Sequence, residues 1–438
     1  MHIDLVVGAR PNFMKAAPLA EALRARQPEW LTRVIHTGQH YDERLSQVFF
    51  KQLGMREPDV NLEVGSASHT YQTATIMLAL EGQFRASRPD LVIVFGDVNS
   101  TLAAALVAVQ LHLPLAHVEA GLRSFDREMP EEVNRVLTDT VSDLLFVTER
   151  SAEENLRNEG IPSQRIHFVG NTMIDSLVKH RPAAHALNVP EALGLRPRDY
   201  VVVTLHKPVN VDAEDQLRSI VYALQSLADY TDVVFPAHPR TVLRLKSFGL
   251  WDDMDRHGRL RVLNPLGYLE FMGLLDSAGV VLTDSGGVQE EALVLGVPCV
   301  TLRKNTERPV TLQMGLNRLA GDDPHLAVRY VREALTSGPR AERERARPSG
   351  AVAAGGSGGD LVRAPLPVPE GWDGHAASRI VDVLEQTFCS GLVPEGLGTV
   401  VDTPAAAEAS VARVEPAGRA GATMPPAGSA RDAKRDAP

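Results

Sequence analysis

The sequence predicts an α/β protein built from two doubly wound domains that face each other across a cleft. Three observations predict it. Short apolar runs alternate with helix-periodic stretches from the first residues onward. That alternation stops in a polar, Pro- and Ala-rich stretch and then starts again. In both halves, charged or small residues follow directly on the apolar runs, where open parallel sheets bind ligands.

In the first half, Ile3–Val7, Val34–His36, Leu91–Phe95, Leu115–Val118 and Leu144–Val147 read as buried strands. Lys15–Arg26, Thr73–Arg88, Thr101–Leu111 and Glu131–Ser142 carry helical periodicity between them. Such alternation gives a parallel sheet covered on both faces. After the break, Tyr200–Thr204, Asp232–Ala237, Leu260–Leu263, Val280–Thr283 and Cys299–Leu302 read as strands. Asp215–Leu227, Tyr268–Ser277, Val288–Leu295 and His325–Ser337 read as helices. The expected organisation is a first domain over 1–179, a linker over 180–197 and a second domain over 198–339. A Gly-, Pro- and charge-rich loop over 340–371, a final helix over 372–389 and a disordered Ala/Pro/Gly-rich tail over 395–438 follow.

The chain has 438 residues, 44% hydrophobic and 23% charged, with a formal charge of −10. At roughly 100–200 residues per domain this suits two or three domains with large cores. An acidic chain lacks the basic surface that nucleic-acid binding needs. No apolar run approaches the roughly 20 residues of a membrane span. No basic segment with an apolar stretch precedes the first strand, which argues against a signal peptide. The two cysteines, Cys299 and Cys389, have no metal-site or disulfide spacing, so a reducing cytoplasm fits best. Cys299, inside Val297-Pro298-Cys299-Val300, reads as a buried small hydrophobe.

Four segments can carry chemistry. In Val280–Ala292 a strand runs through Asp284-Ser285-Gly286-Gly287 into a helix whose first N–H groups lack intrahelical partners. Such a turn can cradle a diphosphate. Taken alone it reads equally as an ordinary strand–helix turn with Asp284 or Ser285 as N-cap. Gly8-Ala9-Arg10-Pro11-Asn12-Phe13-Met14-Lys15 follows the first strand and has neither dinucleotide nor P-loop spacing. Arg10 and Lys15 are a phosphate-binding pair or a solvated pair. Asp97 and Glu119 end apolar strands, where burying a charge is costly without a purpose. Glu131 and Glu132, after Pro130, also suit a helix's first turn. His206 and His238 end consecutive strands of the second domain, neither with a partner at metal-ligand spacing.

Together these segments resemble the non-hydrolysing UDP-N-acetylglucosamine 2-epimerases. The resemblance rests on G-x-R-P-x-x-x-K at 8–15, T-G-Q-H at 37–40, G-D at 96–97, H-V-E-A-G-L-R at 117–123 and P-E-E-x-N-R at 130–135. It continues with G-N-T-x-I-D at 170–175, D-S-G-G-x-Q-E-E at 284–291 and T-E-R-P at 306–309. It runs to about residue 336 and resumes at Trp372-Asp373-Gly374. The resemblance implies two Rossmann-like domains in a glycosyltransferase-B-like fold, with a final helix crossing back to the first domain. It also implies reversible inversion at C2 of the sugar through UDP elimination and a 2-acetamidoglucal, a homodimer, and no obligatory NAD or metal.

Carried over residue by residue, it makes Asp97, Glu119 and Glu131 the acid/base set and places His206 at the diphosphate. Arg10, Lys15, Ser285, Gly286, Gly287 and Arg308 hold phosphates or sugar, Glu291 holds the ribose, and Leu266 and Phe271 lie beside uracil. A second, activating substrate site is implied at Gln39 and His238. The chain departs from the family there, with His206-Lys207-Pro208-Val209-Asn210 where H-R-R-E-N is common and Tyr41-Asp42-Glu43 after His40. A hydrolysing relative that releases N-acetylmannosamine, and a glycosyltransferase or UDP-binding scaffold of the same fold, are the alternatives.

Overall fold

The computed structural model describes residues 1–38, 52–255, 258–337 and 368–389, apart from the side chains of Arg10 and Asp255. The expected loop at 340–371, except its last residues, and the tail from 395 lie outside the described residues.

The first sheet comprises β1 (His2–Val7), β2 (Leu31–His36), β3 (Val60–Asn61), β4 (Leu91–Phe95), β5 (Leu115–Ala120), β6 (Leu144–Val147) and β7 (Ile166–Phe168). Its helices are α1 (Arg10–Arg26), α2 (His69–Ser87), α3 (Asn99–Gln110), α4 (Pro130–Val141) and α5 (Arg150–Asn158). All pairings are parallel, in the order β3-β2-β1-β4-β5-β6-β7. Every residue of β4, β5 and β6 is buried, as expected of strands covered on both faces.

The stretch expected to be a linker is largely helical. The helix α6 (Thr172–Ala186) runs through Pro182, and the short α7 (Val189–Ala192) follows. Tertiary packing outweighs composition here: Leu177 and Ala184 belong to the same buried cluster as Tyr268 and Met272 of the second half.

The second sheet comprises β8 (Tyr200–Thr204), β9 (Asp232–Pro236), β10 (Leu260–Leu263), β11 (Val280–Thr283), β12 (Cys299–Thr301) and β13 (Asn317–Leu319). Its helices are α8 (Pro208–Val211), α9 (Glu214–Ala228), α10 (Pro239–Ser247), α11 (Trp251–Asp255), α12 (Tyr268–Asp276), α13 (Gly286–Val294), α14 (Pro309–Gln313) and α15 (Pro324–Ser337). The order β10-β9-β8-β11-β12-β13, again parallel, is the dinucleotide-fold order. In both sheets the order of strands reverses at one point, between β1 and β4 and between β8 and β11. Ligands of doubly wound sheets bind outside the carboxyl ends of the strands at such points. No described helix is long and apolar enough to cross a membrane.

The last helix, α16 (Ala376–Cys389), lies on the first half of the chain. Asp175 caps it, accepting from the backbone N–H of Ala376 at 3.0 Å and Ala377 at 2.7 Å. Arg26 of α1 pairs with Asp382 at 2.5 Å and Glu385 at 2.6 Å. Trp372, 1% exposed, donates its indole N–H to the Thr148 carbonyl at 2.9 Å. Its ring joins the core cluster that holds Leu19, Leu23 and Ile380. Trp372→Ala is expected to cost about 3–5 kcal/mol, the range for truncating a buried aromatic. Urea unfolding of the two proteins measures it as a fall in the transition midpoint.

Candidate active site

Each reversal point brings sequence-distant residues together. At the β1/β4 end, Asn12 accepts from the backbone N–H of Gly8 and Ala9 and donates to the Phe95 carbonyl at 2.9 Å. This ties the two strand ends and aims the buried Lys15 at Glu119, with which it forms an ion pair. Gly96 stands at φ +63°, and a Cβ there would meet Lys15 Nζ at 2.9 Å and Glu119 Oε2 at 3.2 Å. Only glycine lets this ion pair lie against the backbone.

Glu119 occupies a β-bulge. The β5–β6 register shifts between Val118 and Ala120, and Glu119 sits at φ 73°. A non-glycine residue there is strained, and strain of this kind concentrates at functional sites. The bulge turns the Glu119 carboxylate out of the sheet to meet Lys15 and, from the second half of the chain, Arg308. Asp97, one residue beyond Gly96, pairs with Arg135 of α4 at 2.5 Å. Burial works against its charge, but Arg135 and Lys15 outweigh that and hold the carboxyl below its usual range. Glu131, in the first turn of α4, stands 3.7 Å from Lys207 of the opposite half.

At the β8/β11 end, Asp284 is fully buried. It accepts from the backbone N–H of His206 at 3.0 Å and Lys207 at 2.9 Å and from the Asn210 amide at 3.0 Å. The His206 ring lies 3.2 Å from the same carboxylate and 5.8 Å, centre to centre, from that of His238. Asp284 therefore fixes the loop that carries His206, and the Ser285–Gly287 turn follows it into α13. Ser285 is the N-cap residue of α13, but its side chain makes no capping bond. That leaves the helix's first N–H groups for an anion. Arg308 lies over this turn: a Cβ on Gly286 would stand 3.0 Å from its guanidinium. Gly287 faces the Met173 methyl at 3.1 Å on the same measure.

Arg308 links the two halves, pairing with Glu119 of the first and with Glu290 at 3.0 Å and Glu307 at 3.1 Å of the second. Glu291 is buried, and burial together with Glu290 pushes it up to about 8. Its surroundings thus favour the neutral form, where the sequence suggests a carboxylate accepting both ribose hydroxyls. One oxygen can accept and the other donate, with the Tyr268 hydroxyl alongside. Leu266 and Phe271 are partly buried against the core at the start of α12. His238 caps α10 through a ring nitrogen that accepts from the Arg240 N–H at 3.2 Å. Gln39 and the Arg10 side chain lie outside the described residues. Cys299 is buried and its thiol is pushed up to about 12.

Three contributors had no role assigned from the sequence: Arg135 and Asn134, quoted only as part of a motif, and Glu149. Asn134 donates to the Asp97 carbonyl at 2.9 Å. Glu149 is buried and pushed up to about 7 by burial and by Glu290, although Ser151 bonds it. The helical spacing of Glu131 and Arg135 was a signal for the first of them, since residues four apart share a helix face.

Two parallel α/β sheets with their ligand-binding ends turned to a shared cluster of charges define a glycosyltransferase-B-like fold. A family profile for UDP-N-acetylglucosamine 2-epimerase matches residues 22–356. The UDP-N-acetylglucosamine 2-epimerase of Methanocaldococcus jannaschii is 42% identical over 336 residues, 76% of this chain and 91% of that protein. The UDP-2,3-diacetamido-2,3-dideoxy-D-glucuronate 2-epimerase of Pseudomonas aeruginosa is 42% identical over 340 residues, 76% of this chain and 92% of that protein. The crystal structure of the M. jannaschii enzyme with UDP-GlcNAc and UDP superposes with a TM-score of 0.76 at 38% identity, covering 88% of this chain and 100% of that one. The Neisseria meningitidis enzyme bound to UDP-GlcNAc gives 0.75 at 26% identity, covering 88% of this chain and 100% of that one. The chain belongs to the UDP-N-acetylglucosamine 2-epimerase family.

Glu291 has a folded-state pKa above its ordinary value of 4.5. Its bound proton therefore stabilises the fold fully below about 4.5, and that contribution is lost as pH rises through about 8. Replacing it by glutamine removes this dependence. In thermal melts the wild type should fall increasingly below Glu291→Gln as pH rises across that window. The gap should open by roughly 2–4 °C for each kcal/mol lost.

Proposed function

We propose that the protein interconverts UDP-N-acetylglucosamine and UDP-N-acetylmannosamine by inverting C2 of the sugar, with UDP leaving and returning. The reading is supported by Asp97 and Glu119, which share Lys15 and Arg308, and by Glu131, which faces Lys207 of the half that carries His206 and the Ser285–Gly287 turn. Inversion needs a base on one face of C2 and an acid on the other, and three carboxyl groups from separate elements can supply both.

One carboxylate takes the C2 proton, the C–H electron pair becomes the C1–C2 double bond, and the C1–O bond breaks with its pair going to UDP. The 2-acetamidoglucal then takes a proton on the opposite face as UDP oxygen rebonds to C1. The second step reverses the first, so no electrons pass to a carrier. Charge grows on UDP as it leaves. His206, held by Asp284, and the free N–H groups of α13 are placed to stabilise it. Lys15 and Arg308 both pair with Glu119. In this mechanism the incoming diphosphate draws these cations away and frees Glu119 to act. Glu291 takes the ribose, Leu266 and Phe271 the uracil, and Arg10 assists at phosphate. Gln39 and His238 belong to a second, activating substrate site.

In D2O, incubation with UDP-N-acetylglucosamine should give the manno epimer with deuterium at C2. Absence of exchange rejects the reading, and release of free N-acetylmannosamine points to hydrolysis instead. Asp97→Asn and Glu119→Gln should each lower kcat by roughly 100- to 10,000-fold. The P. aeruginosa relative favours a second reading of the sugar, since its own substrate is a 2,3-diacetamido uronate and it is as similar to this chain as the M. jannaschii protein. The ratio of kcat/KM for the two UDP-sugars decides between them.

The implied homodimer has support in an apolar surface. Leu78 of α2 is 72% exposed and Leu137 of α4 is 45% exposed. The two helices line one groove with Ala74, Met77, Pro130 and Val133. Sedimentation should give a dimer, and Leu78→Lys should shift it toward monomer.

A further inference from the structure

Proton transfer at C2 needs the carboxylates of Asp97 and Glu119 held in fixed relative positions. Left-handed backbone precedes the first and includes the second. Gly96 and Gly121 have φ of +63° and +79°, with Glu119 at φ 73° near the second of them. A left-handed glutamate persists only where its surroundings over-determine it.

One fully buried pair does so. His117 lies on β5, two residues before Glu119, and Asp139 lies on α4; both side chains are 0% exposed. The ring's Nδ1 is 2.6 Å from Asp139 Oδ1, and its Nε2 is 2.8 Å from the Gly96 carbonyl. Asp139 Oδ2 accepts the Gly121 N–H at 3.0 Å and pairs with Arg123 at 2.7 Å. Asp139 thus grips the backbone on the far side of the bulge, while His117 grips it on the near side and reaches across to the peptide ahead of Asp97. Both ring nitrogens face acceptors, an arrangement that suits two N–H donors. Burial disfavours the Asp139 charge, but His117 and Arg123 outweigh it and hold that carboxyl below its usual range. The same helix carries Glu131, Arg135 and Asp139 at successive turns, so one rigid element ties the buried pair to Glu131 and to the partner of Asp97.

We propose that His117 and Asp139 are positioning residues for C2 proton transfer, a buried pair that sets the relative placement of Glu119 and Asp97. The inference rests on the epimerase reading. It concerns proton transfer and not UDP binding, because the pair's partners Gly96, Gly121 and Arg123 all belong to the first half of the chain.

The test measures C2 deuterium exchange, KM, the Kd for UDP and the melting temperature in wild type, His117→Ala, His117→Gln and Asp139→Asn. A displacement of about 1 Å can cost roughly 100-fold in rate. His117→Ala should therefore lose about that factor in kcat with the Kd for UDP unchanged. Glutamine, whose amide can still donate to the Gly96 carbonyl, should recover part of the loss. Asp139→Asn keeps the shape and should lower kcat without raising KM; with His117→Gln it carries the test if the alanine variant does not fold. Wild-type kcat in His117→Gln and Asp139→Asn overturns the proposal, as does a fall in kcat matched by equal losses of UDP affinity and melting temperature. A wild type that exchanges no deuterium overturns the epimerase reading itself, a separate result.

Discussion

The contact on which the rest depends is the ion pair between Arg308 and Glu119, which joins the two sheets through buried charge. Two charges taken out of water lose several kcal/mol of hydration each, and mutual attraction restores that only in good geometry with further hydrogen bonds. The surroundings supply them. Lys15 takes the other oxygen of Glu119, and Glu290 and Glu307 share the guanidinium. Arg303 balances Glu307 at 2.7 Å, and Arg135 balances Asp97. The network also leaves polar atoms unsatisfied. Glu149 Oε2, Glu290 Oε2 and Glu291 Oε1 meet no hydrogen-bond partner among the described residues. Buried acceptors left over by a charge-balanced network are the atoms with capacity to bond a further polar group.

The fold was largely legible in the sequence because covered parallel strands are nearly continuous apolar runs. Leu91–Phe95, Leu144–Val147, Tyr200–Thr204, Leu260–Leu263 and Val280–Thr283 have the bounds that their composition implies. The strands that escaped notice, Val60–Asn61, Ile166–Phe168 and Asn317–Leu319, lie at sheet edges and are two or three residues long, too short for a period. Helix starts were read late: α1 begins at Arg10 and not Lys15, because Pro11 can occupy a helix's first turn. The supposed linker was misleading because Pro and Ala composition says nothing of the packing that makes α6 helical.

The site was legible as separate motifs, and their placement together at the two reversal points follows from topology. Two things were not legible. The protonation of Glu291 depends on burial beside Glu290, and no local pattern encodes that. Asp284, the acid of the turn, is directed at the His206 loop, an arrangement set by the β8–β11 pairing and not by its neighbours in sequence.

Gly170 and Gly371 approach so closely that a Cβ on the first would stand 1.9 Å from the carbonyl oxygen of the second. These residues are far apart in sequence, and the chain between them includes the whole second sheet. A ribosome releases the chain from its amino end. The first domain's strands therefore emerge long before Trp372 and Ile380, which complete its hydrophobic cluster. Until then the face of α1 bearing Leu19 and Leu23 is uncovered on that side. Biosynthesis of the amino-terminal half is finished only by the carboxyl-terminal segment, and the interval is a window for chaperone capture or misassociation.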